Sequence, residues 1–394
     1  MGTDYFKELP NNWEIKKFGD VAKITCGVAA TPEYVDASIG IPFFSARNVQ
    51  NGRLDLNYFQ YISVELHKKL TKNTKPERGD ILLTRVGAGI GEAAVVNIDF
   101  EFSVYVSLTL IKCSKKIESE FIKLLLNTNY YRYLATRDQF AGGGVQNLNV
   151  QMVKDYPIPV PPLLEQKKIA QILSTWDQAI SATEELLENS QKQKKALMQQ
   201  LLTGKKRLLD ENGVEFSDEW QRFSLGSIAK VYQPKTISQS ELSSDGYPVY
   251  GANGIIGYYS DFNHELEQIA VTCRGSTCGV VNWTVPKSWI TGNAMVINVD
   301  RSVLVDKKFL FYVLGYSDLK YLITGSGQPQ ITGDIKNHVV SLAPIEEQKN
   351  IAHILTLADQ EIDIFQNKIA SLKQEKKALM QKLLTGKKRV KVVA

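Results

Sequence analysis

The stretch KKALMQQLLTGKKR, Lys194 to Arg207, returns as KKALMQKLLTGKKR at Lys376 to Arg389. Thirteen of the fourteen positions are identical, with Gln200 against Lys382 the single change. A helix end carried twice, 182 residues apart, constrains the fold more than any other feature, because internal repeats dictate architecture. The match runs without gaps from Pro162–Leu208 to Pro344–Val390, with 24 identities in 47 positions. Eleven fall in the first nineteen positions and thirteen from Lys194 onward, while Ser181 to Gln193 contribute none.

Outside this segment the similarity drifts. WEIKKFGDVAKI (Trp13 to Ile24) resembles WQRFSLGSIAKV (Trp220 to Val231) at an offset of 207. RVGAGIG (Arg85 to Gly91) loosely resembles RGSTCG (Arg274 to Gly279), and GGGVQNLN (Gly142 to Asn149) resembles GSGQPQIT (Gly325 to Thr332) at an offset of 183. The chain therefore reads globe, helix, globe, helix, with boundaries expected at 1–161, 162–208, 209–343 and 344–390, and a tail at 391–394.

Both repeated segments carry a heptad. Ile169, Leu173, Trp176, Ile180, Thr183, Leu187, Ser190, Lys194, Leu197 and Leu201 alternate steps of four and three, as do Ile351 to Leu383. That is the seam of a coiled coil. Each helix opens with Pro and Glu (Pro162 with Glu165, Pro344 with Glu347) and stops at Gly204 or Gly386 before three basic residues, which are start and stop signals. The 38 residues from Glu165 to Leu202 make a rod of about 57 Å. If both globes meet their helices alike, a pseudo-two-fold axis relates the halves and the helices run antiparallel. The start of one helix then lies beside the end of the other, twice, so the repeated block reads as a docking surface used twice, with Lys194, Lys195, Lys376 and Lys377 as its candidates.

The globes read as α+β. GDILLTRVGAG, EAAVVNI and VSLTLIKC are expected strands and FIKLLLNTNYYRYLAT a helix; QIAVTCRG, AMVINV and KKFLFYVLGY read likewise. No catalytic constellation is present: there is no phosphate loop, no H-E-x-x-H, no G-x-S-x-G and no N-P-P-[FY]. Four cysteines and four dispersed histidines form neither a disulfide framework nor a metal motif. The N-terminus lacks the apolar core of a signal peptide and no run reaches the ~20 residues of a membrane span, so a cytoplasmic protein is expected. A formal charge of +5 is weak evidence for nucleic acid. Stronger is a doubled set of polar, glycine-bearing loops. The first globe offers Arg47, Asn48, Gln50, Arg53, Arg85, Gln146 and Asn147; the second offers Asn253, Tyr258, Tyr259, Arg274, Asn293, Gln328 and Gln330. Arg, Asn and Gln can bond base edges bidentately. Singly, each residue also reads as part of a solvated turn.

PPLLEQKKIAQIL and APIEEQKNIAHIL, each followed by KKALMQ-LLTGKKR, resemble the conserved regions of Type I restriction–modification specificity subunits. YPVYGANGIIGYY and GSGQPQIT resemble signatures of that family's target recognition domains, although IPFFSARNVQNG stands at the matching place in the first globe. The resemblance implies an α+β fold of two globular α/β target recognition domains separated by two long helices in an antiparallel coiled coil. It implies a non-catalytic chain that reads a bipartite, asymmetric site on double-stranded DNA. It implies docking of two adenine-methyltransferase (modification) subunits, which hold S-adenosylmethionine, and of restriction subunits with translocase and nuclease activity. This chain itself would carry no cofactor or metal. Two other readings stay open: a protein–protein scaffold with two ligand-binding globes, and a self-sufficient enzyme of the fused restriction–methylation kind whose catalytic parts lie on another chain or are lost.

Overall fold

The computed structural model describes residues 6, 9–27, 32–137, 147–252, 254–325 and 327–392. The chain divides into two compact units, Met1–Ala182 with Ile369–Ala394, and Thr183–Lys368. Both are mixed helix and sheet, and they repeat one topology.

In the first unit a four-stranded antiparallel sheet runs in the order Ala22–Cys26, Leu108–Cys113, Ile81–Thr84, Ala93–Val95. In the second the order is Lys230–Tyr232, Ala294–Asn298, Ile269–Thr272, Val281–Trp283. Strands Ile81–Thr84 and Ile269–Thr272 are buried at every position, the continuous apolar run expected when both faces are covered. A three-stranded sheet accompanies each. Ile41–Phe44 pairs antiparallel with Gln60–Ile62 and parallel with Ser103–Val104. Tyr247–Gly251 does the same with Gly254–Tyr259 and Trp289–Ile290.

The expected helix over FIKLLLNTNYYRYLAT is two helices, Ser119–Leu126 and Asn129–Arg137. Asn127 makes the break. Its amide donates to the carbonyls of Ala93 and Lys123, and its oxygen accepts from the Ala93 N–H, so the side chain competes with the helix for backbone partners.

The repeated segments are continuous 39-residue helices, Leu163–Leu201 and Ile345–Leu383. Every seam position of the first heptad is buried or half-buried. Each helix stops on a glycine at positive φ, Gly204 at +67° and Gly386 at +74°. There Gly204 N–H bonds to the Leu201 carbonyl and Lys206 N–H to that of Gln200, as Gly386 and Lys388 do with Leu383 and Lys382, a left-handed glycine cap that a side chain at the glycine would strain. Within each unit the helical segments run antiparallel. In the first unit, residues 165 and 177 of the first helix pair with 389 and 376. In the second, 194 and 207 pair with 359 and 347. The core of the first unit takes Ile169 and Leu173 together with Leu383 and Leu384; that of the second takes Ile351 and Leu355 with Leu201 and Leu202.

Candidate nucleic-acid interface and the joints that carry it

The joints explain the repeated sequence. At the head of each long helix stands the dipeptide Glu-Gln, almost wholly buried as Glu165–Gln166 and Glu347–Gln348. Arg389 grips Glu165 through two bonds, Nε to Oε1 at 2.7 Å and an Nη to Oε2 at 2.8 Å, and the Trp13 indole N–H donates to Oε2 at 3.2 Å. Arg207 grips Glu347 in the same bidentate way, at 2.9 and 2.8 Å, and Trp220 donates to it at 3.2 Å. The hydrogen bond and charge of each carboxylate raise the pKa of its arginine. Gln166 accepts from Glu118 N–H and donates to the carbonyls of Lys116 and Pro161. Gln348 accepts from Asp306 N–H and donates to those of Leu304 and Ala343. A buried carboxylate is stable only when paired and hydrogen-bonded, so these residues lock strand, loop and helix together at one angle.

One turn or more along, Lys376 bonds Asp177 at 2.6 Å, and Lys194 bonds Asp359 while lying 5.6 Å from the Tyr312 ring centroid. Lys194 and Lys376, two of the docking candidates, are both half-buried and pair with a carboxylate of the other long helix. A lysine at a seam position points inward with the seam. Lys195 and Lys377, one step round the helix, are exposed.

The candidate reading residues divide in the same way. Arg47, Gln50 and Arg53 are exposed after strand Ile41–Phe44, Arg47 in the 3-10 turn Ala46–Asn48 and the other two facing each other in the hairpin of Val49–Gln50 and Arg53–Leu54. Asn48 sits among them but is 1% exposed. Its oxygen accepts from Ser45 N–H and its amide donates to the carbonyls of Asp55 and Tyr58, so it builds the loop and does not face a ligand. Arg85 is 8% exposed, with Nε bonded to the Leu148 carbonyl. Asn147 is exposed beside it. In the second unit Arg274, Tyr258, Gln328 and Gln330 are exposed, Asn293 is half-buried, and Tyr259 packs edge-on to Trp289 at 5.1 Å. Gln146 and Asn253 lie outside the described residues.

The structure also corrects the pairing of Arg85 with Arg274. Gly91 N–H bonds to Thr84 as Gly279 bonds to Thr272, and Leu148 N–H bonds to Arg85 as Ile331 bonds to Cys273. The matching offset is 188, so Arg274 corresponds to Val86 and Arg85 to buried Cys273. A slip of one residue in an extended segment exchanges inward and outward positions, which is why one arginine is buried and the other exposed. Sequence reasoning missed Tyr34, Tyr58 and Tyr105, which with Arg47 line a hollow of about 240 Å³ in the first unit. An aromatic within a strand-rich globe gives no sequence signal that separates core from rim.

A family model for the Type I restriction modification DNA specificity domain matches residues 10–190 and again 217–374. The chain belongs to that family. It is 27% identical to the putative type I restriction enzyme MjaX specificity subunit of Methanocaldococcus jannaschii, over 98% of this chain and 95% of that one. It is 24% identical to the EcoKI specificity subunit of Escherichia coli, covering 87% and 81%. The crystal structure of a Type I S subunit from M. genitalium superposes with a TM-score of 0.62 at 18% identity, over 95% and 97% of the two chains, which shows a shared fold. The two matched segments fit two recognition domains in one specificity subunit. Among the described residues no helix is long and apolar enough to cross a membrane, and no cluster of His, Cys, Asp and Glu could hold a metal ion.

Proposed function

We propose that each recognition unit reads one half of a bipartite, asymmetric DNA site, and that the long helices set the gap between the halves. The observation that carries this reading is the contrast between joints and surfaces. The Arg–Glu–Trp and Glu-Gln contacts recur residue for residue, while surface residues differ: exposed Arg274 stands where the first unit has Val86, and exposed Gln330 where it has Asn147. Identical mounts with unlike reading surfaces suit one device that reads two different sequences.

A continuous 39-residue helix spans about 58 Å, more than the ~34–36 Å between half-sites one duplex turn apart. Two adenine-methyltransferase (modification) subunits would dock on the helical ends, where exposed Lys195 and Lys377 repeat at 182 residues. Those subunits would bind S-adenosylmethionine and evert the target adenine. Restriction subunits would add translocation and cleavage. This chain would supply recognition and no catalysis.

The test is to express the chain with its modification partner and map methylated adenines. The reading expects one motif of two unlike halves separated by unspecified bases. A palindromic motif, or methylation without sequence preference, would contradict it. Binding of the complex to its site should also fall steeply as salt rises, because phosphate contacts release counterions.

A further inference from the structure

We propose that the aromatic hollow of the first unit holds a nucleobase of the target that has left the stack, and that the second unit has no such seat. The proposal rests on the DNA-reading function above. Tyr34 and Tyr58 are 45% and 61% exposed, large aromatic faces left open to water around a concave site. Tyr105 completes the wall, edge-on to buried Phe43 at 5.7 Å between centroids. The floor is fixed. Asn48 is buried beneath it and pins the Tyr58 carbonyl, and Ala46 N–H bonds to Ser107 Oγ. The turn carrying Arg47 is thus held from both sides before any ligand arrives.

The choice of ligand follows from the chemistry of the walls. A base inside a duplex presents only its edge, since neighbours cover its faces. Aromatic walls recognise faces, which become available when a base is unstacked. Arg47 at the rim supplies positive charge for the sugar–phosphate backbone that must swing with it. Gln60, bonded to the Tyr58 hydroxyl, adds a group that can bond a base edge. In the second unit the strand registers place Val249, Gly251 and Thr291 where Phe43, Ser45 and Tyr105 stand. Among the described residues the Tyr105 wall thus has no aromatic counterpart there. That unit instead exposes the hairpin residues Ile255, Ile256 and Tyr258, which suit contact with groove surfaces.

The test uses the full chain assembled with its modification subunits, and duplexes carrying the mapped target. Each base of both half-sites is in turn left unpaired by an abasic site opposite, which lowers the cost of leaving the stack. At one position of the first half-site, binding should tighten roughly tenfold, the scale of one base–aromatic stack. That gain should vanish in Tyr58→Ala and in Tyr34→Ala, and survive in Tyr58→Phe. Both residues are on the exposed rim, so the variants leave the floor intact. Gains that persist in both alanine variants belong to eversion by the modification subunits and overturn the proposal, as does the absence of any gain in the first half-site. A Tyr58-dependent gain in the second half-site also overturns it. If the complex binds no sequence specifically, the DNA-reading function fails with it, a result distinct from specific binding without a gain.

Discussion

The two units share strand order, register and joints, yet the space beside their matching helices is used in opposite ways. In the first unit Val95, Glu120 and Lys123 line an open cleft of about 640 Å³ against Asp177 and Lys376. The offset of 188 places Trp283, Lys308 and Phe311 at the same positions in the second. There Lys308 Nζ lies 4.0 Å from the Trp283 ring centroid and 4.9 Å from that of Phe311, and burial lowers its pKa. The Tyr312 hydroxyl closes the cluster by donating to Asp359 at 2.7 Å. One scaffold thus tolerates a polar cleft or a packed aromatic plug. What it does not vary is the buried Glu-Gln pair. The parts fixed by a common mechanical task coincide, and the parts free to differ do.

The largest expected effect comes from breaking the joints. Glu347→Ala leaves Arg207 without its partner in a site where the carboxylate is 0% exposed, and should destabilise the second unit by about 3–5 kcal/mol. Glu165→Ala should cost the first unit less, because Arg389 is 44% exposed against 18% for Arg207 and water can take up the freed guanidinium. Hydrogen exchange read unit by unit checks the order. Equal losses would contradict the ordering by exposure, and no loss in either unit would show that the joints are not what holds the helices at their angle.

A smaller effect should follow from exchanging plug and cleft. Trp283→Val installs the residue found at position 95 and removes a half-buried ring, with an expected loss of about 2 kcal/mol in denaturant unfolding, below the cost of a fully buried Trp. If stability is unchanged, the cluster is surface decoration and the contrast loses its energetic meaning.

The smallest concerns pH. Burial depresses the pKa of His264, with Asp300 opposing, and of His338. Both lie in the second unit, and Tyr156 takes the place of His338 in the first. A histidine with a depressed folded pKa contributes stability that is intact above its ordinary 6.5 and is lost as pH falls from there toward the folded value. The second unit should therefore weaken below pH 6.5, and His338→Gln should flatten the slope in unfolding curves taken between pH 7 and 5. A slope that is unchanged by the substitution would assign the effect elsewhere.

Much of this architecture was legible in the residues. The repeat, the heptad and the glycine stops required only periodicity and backbone rules, and the helices end where Gly204 and Gly386 demand. What resisted was any question of facing. Asn48, Arg85, Lys194 and Lys376 are polar and sit beside exposed residues of the same chemistry, and only packing decides which turns inward. The one-residue slip between Arg85 and Arg274 has the same origin, since an extended chain alternates faces at every step. The identical Glu-Gln dipeptides carry an internal task that their sequence alone does not show, because only packing reveals that their carboxylates and amides are buried and satisfied within the chain.

The central claim is that paired helices fix the distance between two independent readings. Inserting seven residues at matched points of both helices, within Ser181–Gln193 and 363–375, preserves the seam and lengthens the spacer alone. Mapping methylated adenines in cells carrying this variant with its modification partner tests the claim directly. The account predicts unchanged half-sites separated by a longer run of unspecified bases. The original spacing, retained by an active variant, would contradict it.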